Sequence, residues 1–238
     1  LLFRQYKTAE VTKREIGKLF DDAKKEWKGI FAASDTIELT PEHLNVCVGE
    51  LTEVKLFFSN LRIIDEAFEY LIPDVAKSKK GQYFTPRPVI DFCVRMINPS
   101  NKEYVIDPAC GSAGFLVHTM EYVWNKYKMT TEKARVNYAS KYLWGIDFDE
   151  KSAKISRAIM LIAGDCKTLI FKQNSLEHTK WTPEITVELQ KEDLIIDDKN
   201  KHLQFDIVMS NPPFAGDIQE KSLITLYSEI LGHRYTFK

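Results

Sequence analysis

The sequence predicts an α/β protein in which a parallel, doubly wound sheet follows a helical N-terminal domain. Two observations lead to this prediction. Before Gly81 the apolar residues recur at helical spacing, and after it short β-rich runs alternate with helical stretches. Such alternation is typical of a parallel sheet with helices on its faces. We therefore divide the 238 residues into a helical domain, 1–80, and a sheet domain, 81–238.

The helical domain is predicted from apolar periodicity and from start and stop signals. Ile16, Leu19 and Phe20 recur on one helix face, and the pattern continues through 54–71. Thr40 followed by Pro41 predicts a helix start, because threonine caps free amides and proline fits the first helical position. Pro73 predicts the end of the last helix in this domain.

The sheet domain contains four β-rich runs separated by helical segments. We predict strands at 104–106, 142–146, 168–171 and 205–209, and helices at 88–97, 114–127 and 150–162. The polar segment 182–201 carries alternating apolar residues at 185, 187 and 189 and an apolar run at 194–196. Alternation with period two is typical of strands, so we expect a hairpin there, inserted before the fourth strand.

Composition excludes several classes of protein. The net charge of −1 provides no electrostatic argument for or against a nucleic-acid partner. Four scattered cysteines indicate neither a zinc site nor a disulfide framework, so we expect a reduced, cytoplasmic protein without a metal. No apolar run reaches membrane length, and no membrane partner is expected. Because the chain opens on Leu1 without a methionine, we expect a fragment or a trimmed chain.

The turn after the first predicted strand has the composition of a ligand loop. Asp107 ends the strand, and Gly111, Ser112, Ala113 and Gly114 lead into the next helix. Glycines allow a tight turn and a close approach of the backbone to a ligand at a helix N-terminus. In a doubly wound sheet ligands bind at this end of the strands. A purely structural glycine turn is the alternative interpretation.

Polar residues also follow the second and third predicted strands. Asp147 is placed to accept both hydroxyls of a ribose, as expected for an adenosine-containing cofactor. The alternative is a helix cap, for which Asp149 is better placed. After the third strand, the side-chain amide of Asn174 could hydrogen-bond to the edge of the adenine in such a cofactor, and Leu176 could pack against the face of that adenine. An ordinary loop role for Asn174 is an equally open alternative.

The fourth predicted strand ends in Asn211, Pro212, Pro213 and Phe214. Two prolines remove backbone donors and restrict φ, so the Asn211 amide is held at the strand end beside an aromatic face. This arrangement suits an exocyclic amino group on a flat ring. Its N–H groups would donate to the Asn211 side-chain oxygen and to the Pro212 carbonyl oxygen, while the ring stacks on Phe214. An Asn-Pro turn that merely closes a strand is the alternative.

Four motifs in order resemble a known family. Residues 81–87 read G-Q-Y-F-T-P-R, 107–115 read D-P-A-C-G-S-A-G-F, 145–147 read G-I-D and 211–214 read N-P-P-F. Together they resemble the N6-adenine DNA methyltransferases, specifically the modification subunit of type I restriction–modification systems. The resemblance covers 65–214 well and the first helices loosely. It implies a Rossmann-like methyltransferase sheet that uses S-adenosylmethionine to methylate N6 of adenine in DNA.

The resemblance also implies roles for individual residues. The loop of Gln82, Tyr83, Phe84, Thr85, Pro86 and Arg87 would wrap the methionine end of the cofactor. Thr85 with Pro86 is expected in addition to cap the helix that follows. Asp107 would orient the ammonium or the loop itself, and residues 112–114 would lie along the methionyl and ribose portions. Cys110 is not expected to act as a nucleophile, because it lies inside this turn with no base beside it.

The implied partners are double-stranded DNA with a flipped adenine, a specificity subunit, a second copy of the modification subunit and, in some systems, a restriction endonuclease subunit. Tyr83 is a second candidate for stacking on the flipped base. Two alternatives stay open: an N-P-P-F methyltransferase acting on RNA or a protein glutamine, and a truncated, non-catalytic subunit that binds cofactor or DNA. Since the family's sheet has further strands, we expect a fold incomplete at its C-terminus, with the strand at 205–210 at a bare edge.

Overall fold

A computed structural model describes residues 3–27, 30–53, 85–164, 169–197, 202–213 and 225. The chain divides into two compact units, Leu1–Asn60 and Leu61–Lys238. The predicted helices within 54–84, the segment Gln82, Tyr83 and Phe84, and Phe214 with most of the C-terminal residues lie outside the described residues. The domain boundary at residue 80 therefore stays a prediction.

The first unit contains two described helices, α1 (Ala9–Glu26) and α2 (Pro41–Leu51). The start predicted at Thr40 is confirmed, because its hydroxyl accepts from the His43 amide at 3.3 Å and Pro41 is the first helical residue. Ile16 of α1 packs with Leu44 and Val48 of α2 in a small buried cluster. Apolar residues four apart thus hold the two helices together.

The second unit is built on a parallel sheet. Within the described ranges the strands are β1 (Val105–Asp107), β2 (Leu143–Asp147), β3 (Leu169–Lys172), β4 (Ile195–Asp197), β5 (His202–Leu203) and β6 (Ile207–Val208). The main sheet has the order β3-β2-β1-β6, and all its pairings are parallel. The parallel sheet predicted from strand–helix alternation is confirmed. In the described part of the chain, β6 pairs with β1 alone and forms one edge.

The described helices of this unit are α3 (Arg87–Ile97), α4 (Gly114–Lys126), α5 (Glu132–Tyr142), α6 (Glu150–Ala163) and α7 (Pro183–Lys191). The predicted helices at 88–97, 114–127 and 150–162 match α3, α4 and α6 within a residue at each end. Helix α6 begins at an Asp149 cap, whose carboxylate accepts from the Ser152 amide at 3.1 Å, and ends at Gly164 with φ of 111°.

Both faces of the sheet are buried. Val105, Leu143 and Ile170 face one cluster, which holds Leu116 and Met120 of α4 and residues from α3, α5 and α6. Their strand neighbours face a second cluster, formed by Ile106, Trp144, Ile146 and Leu169 with Trp181, Ile185, Leu189 and Leu194. Successive strand residues point to opposite faces, so a sheet covered on both sides needs continuous apolar strands. Runs such as Leu143-Trp144 meet this need.

The segment predicted as a hairpin is partly helical. Ile185 and Leu189 are buried, whereas Val187 is 46% exposed, so the spacing that matters is four residues and not two. Pro183 at the first helical position starts α7 here. A hairpin does follow, since β4 pairs antiparallel with β5. The strand assigned to 185–189 was therefore wrong, and the one at 194–196 is confirmed.

None of the described helices is both long and apolar enough to span a membrane.

Candidate functional site

The order of the strands predicts a ligand crevice beside β1. The chain runs from β1 outward through β2 to β3, and then returns to add β6 on the other side of β1. In open parallel sheets such a reversal separates the loops at the carboxyl ends of the two strands and creates a ligand crevice. The turn after β1 and the residues after β6 therefore border one crevice. The Met209 amide donates to the Ile106 carbonyl at 3.1 Å and keeps β6 in register with β1 up to this edge.

Asp107 ends β1 as a buried carboxylate, only 2% exposed. Burial raises its pKa to about 7, and the charge of Asp147 adds to the rise. The Ala109 amide donates to Asp107 Oδ1 at 3.1 Å and opposes the shift. The Ser210 hydroxyl opposes it too, although its geometry falls outside that of a normal hydrogen bond. Among the described residues no lysine or arginine offsets the buried charge.

The glycine turn wraps the end of β2. Gly111 has φ of +53°, in the left-handed region where glycine is favoured, and its amide donates to Asp147 Oδ2 at 2.8 Å. The Cys110 amide donates to the Ile146 carbonyl at 2.9 Å. The Ser156 hydroxyl of α6 donates to the Gly111 carbonyl in this turn. Ser112 and Ala113 complete the turn, both buried, and Gly114 is the first residue of α4.

Asp147 connects three loops. Its Oδ2 accepts from Gly111, its Oδ1 accepts from the Asp149 amide at 2.8 Å, and its backbone carbonyl accepts from the Gln173 amide at 2.9 Å. The side chain is 7% exposed. Asp149, not Asp147, caps α6, as the sequence favoured. The side chain of Asp147 therefore ties together the loops after β1 and β2, and its backbone carbonyl adds the loop after β3.

Asn174 is engaged within its own loop. Its Oδ1 accepts from the Leu176 amide at 3.0 Å, and its Nδ2 donates to Glu177 Oε2 at 3.1 Å. Its backbone carbonyl accepts from the Trp181 indole at 2.8 Å. This geometry matches the loop interpretation of Asn174, since both ends of the amide already stabilise the turn.

Asn211 lies two residues beyond Met209 and contacts the start of α3. Its Nδ2 donates to the Thr85 hydroxyl at 2.9 Å. The prediction that Thr85 also caps α3 is wrong, because Pro86 occupies the cap position and the described residues make no side-chain capping bond there. Pro212 and Pro213 are exposed, and Arg87 is the first residue of α3. The structure thus joins Asn211 to one residue of the predicted cofactor loop.

Cys110 is inert in this setting. Burial raises the pKa of its thiol well above the ordinary value, and the charges of Asp107 and Asp147 raise it further. Its Sγ lies 3.7 Å from the Ser156 hydroxyl. The thiol stays protonated, in keeping with its exclusion as a nucleophile.

One candidate residue was missed in the sequence. Phe148 directly follows Asp147 at the carboxyl end of β2 and is 70% exposed, an unusual exposure for a phenylalanine. The Lys172 ammonium lies 5.7 Å from its ring centroid. Its position in the sequence could have identified it, because Phe148 immediately follows an acidic residue at a strand end, where ligands bind in this type of sheet.

A family model described as N-6 DNA Methylase matches residues 60–228. The chain belongs to this family. Among the relatives of this chain, the type I restriction enzyme EcoEI methylase subunit of Escherichia coli is 26% identical over 180 residues, 73% of this chain and 32% of that protein. The StySPI methylase subunit of Salmonella potsdam is 30% identical over 148 residues, 58% of this chain and 24% of that one.

A solved structure shares the fold of this chain. It is a modification subunit assigned to a type I restriction enzyme from Vibrio vulnificus YJ016, 24% identical, with a TM-score of 0.54 over 76% of this chain and 34% of that chain. The chain spans about a third or less of the length of the curated relatives it matches.

Proposed function

We propose that this chain is part of an enzyme that transfers a methyl group from S-adenosylmethionine to N6 of adenine in DNA, as the modification subunit of a restriction–modification system. One observation carries the proposal. In a member of the N-6 DNA methylase family, the Asn211 amide stands at the edge of the sheet crevice with its nitrogen bound to Thr85. Its Oδ1 accepts no hydrogen bond from the described residues. That oxygen is available to an amino group.

The chemistry of the acceptor explains why an amide is needed. The lone pair of the adenine amino group is delocalised into the ring, so the nitrogen is a poor nucleophile. We assign two acceptors to the N–H groups of the adenine amino group: Asn211 Oδ1 and the Pro212 carbonyl oxygen. Holding both bonds localises the lone pair and aims the nitrogen. Pro213 stiffens this turn, and Phe214 and Tyr83 are the proposed stacking partners of the flipped base.

The residues on β1 and β2 fit S-adenosylmethionine. Asp107 is a buried carboxylate with no described cation to balance it, which suits a ligand that carries an ammonium and a sulfonium. Gly111 brings backbone close to the ligand without a side chain, and Asp147 is assigned the ribose hydroxyls. When bound, the cofactor supplies an electrophilic methyl group.

Other parts of the crevice are assigned by their position. We place residues 82–87 around the methionine end and 112–114 along the methionyl and ribose portions. Phe148 is assigned to the face of the cofactor's own adenine, because its exposed ring follows Asp147, the residue assigned to the ribose. Asn174 is assigned to shape the third loop, and an adenine contact by its amide would require exchange of the bonds it makes to Leu176 and Glu177.

We propose double-stranded DNA as the substrate, with a specificity subunit, a second modification subunit and a restriction endonuclease subunit as the further partners. The names of the relatives support this assembly, since they are methylase subunits of type I restriction enzymes. A cytoplasmic location follows from a chromosomal substrate.

The test is Asn211→Ala in the full-length protein, assembled with its partner subunits. We expect methyl transfer to fall by roughly 100-fold or more, because a group aligned with the reacting nitrogen is lost. The dissociation constant for S-adenosylmethionine should stay within about twofold, since the partner of Asn211 is the acceptor. The rate is measured by transfer of a labelled methyl group to duplex DNA, with the product nucleoside identified by mass spectrometry. Calorimetry measures the dissociation constant for S-adenosylmethionine.

The matched control is Asn137→Ala, which removes an exposed amide on α5. It should behave as the unmodified protein. Transfer to RNA or to a glutamine amide instead of adenine would contradict the proposed substrate. Equal loss of cofactor binding in Asn211→Ala would contradict the role of the amide.

A further inference from the structure

Thr85 stands where a helix-capping threonine would be expected, yet its hydroxyl is used elsewhere. Helix α3 begins without a side-chain cap, and Pro86 satisfies the first turn through its carbonyl, which accepts from the Val89 amide at 2.9 Å and the Ile90 amide at 3.1 Å. The Thr85 hydroxyl instead accepts from Asn211 Nδ2 at 2.9 Å, across 126 residues of sequence. The bond therefore connects the loop before α3 to the end of β6.

This bond holds the Asn211 amide with its nitrogen on the Thr85 hydroxyl. A carboxamide carries its donor nitrogen and acceptor oxygen on opposite sides of one rotatable bond. With Nδ2 held by Thr85, Oδ1 is turned to the other side. Rotated by half a turn, the amide would accept from the Thr85 hydroxyl through Oδ1 and would present its N–H groups on the other side, where an amino group, itself a donor, could not be held. A bound amino group therefore selects the orientation in which Thr85 accepts from Nδ2.

The bond is not needed to hold its two ends in place. Helix α3 is anchored by Ile90 and Val94, which are 4% and 2% exposed in the core. Strand β6 is anchored to β1 by the parallel register and by the Met209 amide. Both segments therefore reach the crevice without the threonine hydroxyl, so a role in orienting the amide is separable from a role in folding.

We infer that Thr85 is a positioning residue for the acceptor base, whose hydroxyl orients the Asn211 amide so that its oxygen receives the amino group of the flipped adenine. This inference rests on the proposed function. It also replaces the cofactor contact assigned to Thr85 with a different role, in which Thr85 orients the Asn211 side chain.

The test compares Thr85→Val, which removes the hydroxyl but keeps the shape, with Thr85→Ser, which keeps the hydroxyl. In the full-length assembled enzyme we expect Thr85→Val to lower kcat roughly 10-fold, the equivalent of one well-aligned hydrogen bond. The dissociation constants for S-adenosylmethionine and DNA should change less than about twofold. Thr85→Ser should retain kcat within about threefold of the unmodified enzyme.

A second readout follows the flipped base directly. DNA with 2-aminopurine next to the target adenine becomes more fluorescent when the target base leaves the stack, and the target keeps its own N6 amino group; Thr85→Val should lower that signal at saturating protein. In a double-mutant cycle, Thr85→Val should have no further effect in an Asn211→Ala background, because the group it orients is gone. Additive losses would overturn the inference.

Three other outcomes would overturn it. Weaker cofactor binding in Thr85→Val, by the same factor as the loss of kcat, would assign the hydroxyl to the cofactor. Equal impairment of Thr85→Ser and Thr85→Val would show that shape and not the hydroxyl matters. Unchanged kcat in Thr85→Val would show that the amide is oriented without it. Absence of N6-methyladenine with the unmodified enzyme would contradict the proposed function itself, and is thereby distinguished from a failure of the inference.

Discussion

At the scale of single residues, the Asp107 carboxylate is buried with no described cation beside it. Its folded-state pKa of about 7 lies above the ordinary value because burial disfavours the charged form. A raised pKa means that the folded protein binds this proton more tightly than the unfolded chain does. The resulting stabilisation is complete below pH 4 and is lost as the pH rises through about 7.

Asp107→Asn removes this pH dependence, because the amide stays neutral and keeps an oxygen for the Ala109 amide. At pH 8, without cofactor, we expect the variant to be roughly 2–4 kcal/mol more stable than the unmodified protein, and at pH 4.5 only about 1 kcal/mol more stable, because the unfolded carboxyl is still largely ionised there. Denaturant unfolding at the two pH values measures the difference. Asp22→Asn, on the exposed surface of α1, is the control. A gain of the same size at both pH values would contradict the assignment to Asp107.

At the scale of elements, the close packing of β2 against its neighbours depends on Gly145. A Cβ there would lie 2.5 Å from Ile170 Cδ1, 3.0 Å from Leu116 Cδ1 and 3.1 Å from Cys110 Sγ. These atoms belong to buried residues that have little room to move. Gly145→Ala should therefore cost about 1–3 kcal/mol of stability through overpacking.

Gly17→Ala is the matched control, since a Cβ at this position in α1 meets nothing within 4 Å. It should be neutral or stabilising by up to about 1 kcal/mol, because alanine favours the helix. Thermal unfolding of both variants measures the contrast. Destabilisation of equal size in the two would argue against the packing explanation.

The elements differ in how far the sequence predicts them. Helix α6 is marked at both ends, by Asp149 and Gly164, and was predicted to within a residue. Helix α7 was not, because Ile185, Val187 and Leu189 alternate like a strand and only the tertiary structure shows that Val187 is exposed. Helix α5 has weak apolar periodicity and was missed, although Thr131 caps it.

The candidate site shows the same division. Local motifs predict Asp107, the glycine turn and Asp147, because each lies next to a strand end in the sequence. The bond from Asn211 to Thr85 spans 126 residues, and no local pattern contains it. It depends on β6 pairing with β1, a long-range choice that strand composition alone does not determine.

At the scale of the whole molecule, the proposed cofactor residues all belong to the second compact unit. A ligand at 100 times its dissociation constant stabilises the state that binds it by about 2.7 kcal/mol. We therefore expect S-adenosylmethionine to slow amide hydrogen exchange in the loops after β1, β2 and β3, with Gly111 among them. Exchange in α1 and α2 should not change.

Hydrogen exchange with mass spectrometry measures this pattern in the full-length protein. Asp147→Asn is the informative variant, because it loses the charge assigned to the ribose while its one remaining oxygen can still accept from the Gly111 amide or the Asp149 amide. Its protection by the same total cofactor concentration should be smaller. Protection that spreads equally to α1 and α2 would contradict a cofactor site confined to the second unit.

The position of β6 next to β1 also governs the order in which the crevice is built on the ribosome. Residues up to Lys172 complete β1, β2 and β3, and with them the three loops that meet at Asp147. Asn211 emerges 39 residues later and must cross back to the open side of β1 before Thr85 can receive it. Because chains fold progressively during synthesis, we expect a nascent chain to form the loops proposed to hold S-adenosylmethionine before it places the asparagine proposed to bind the target adenine.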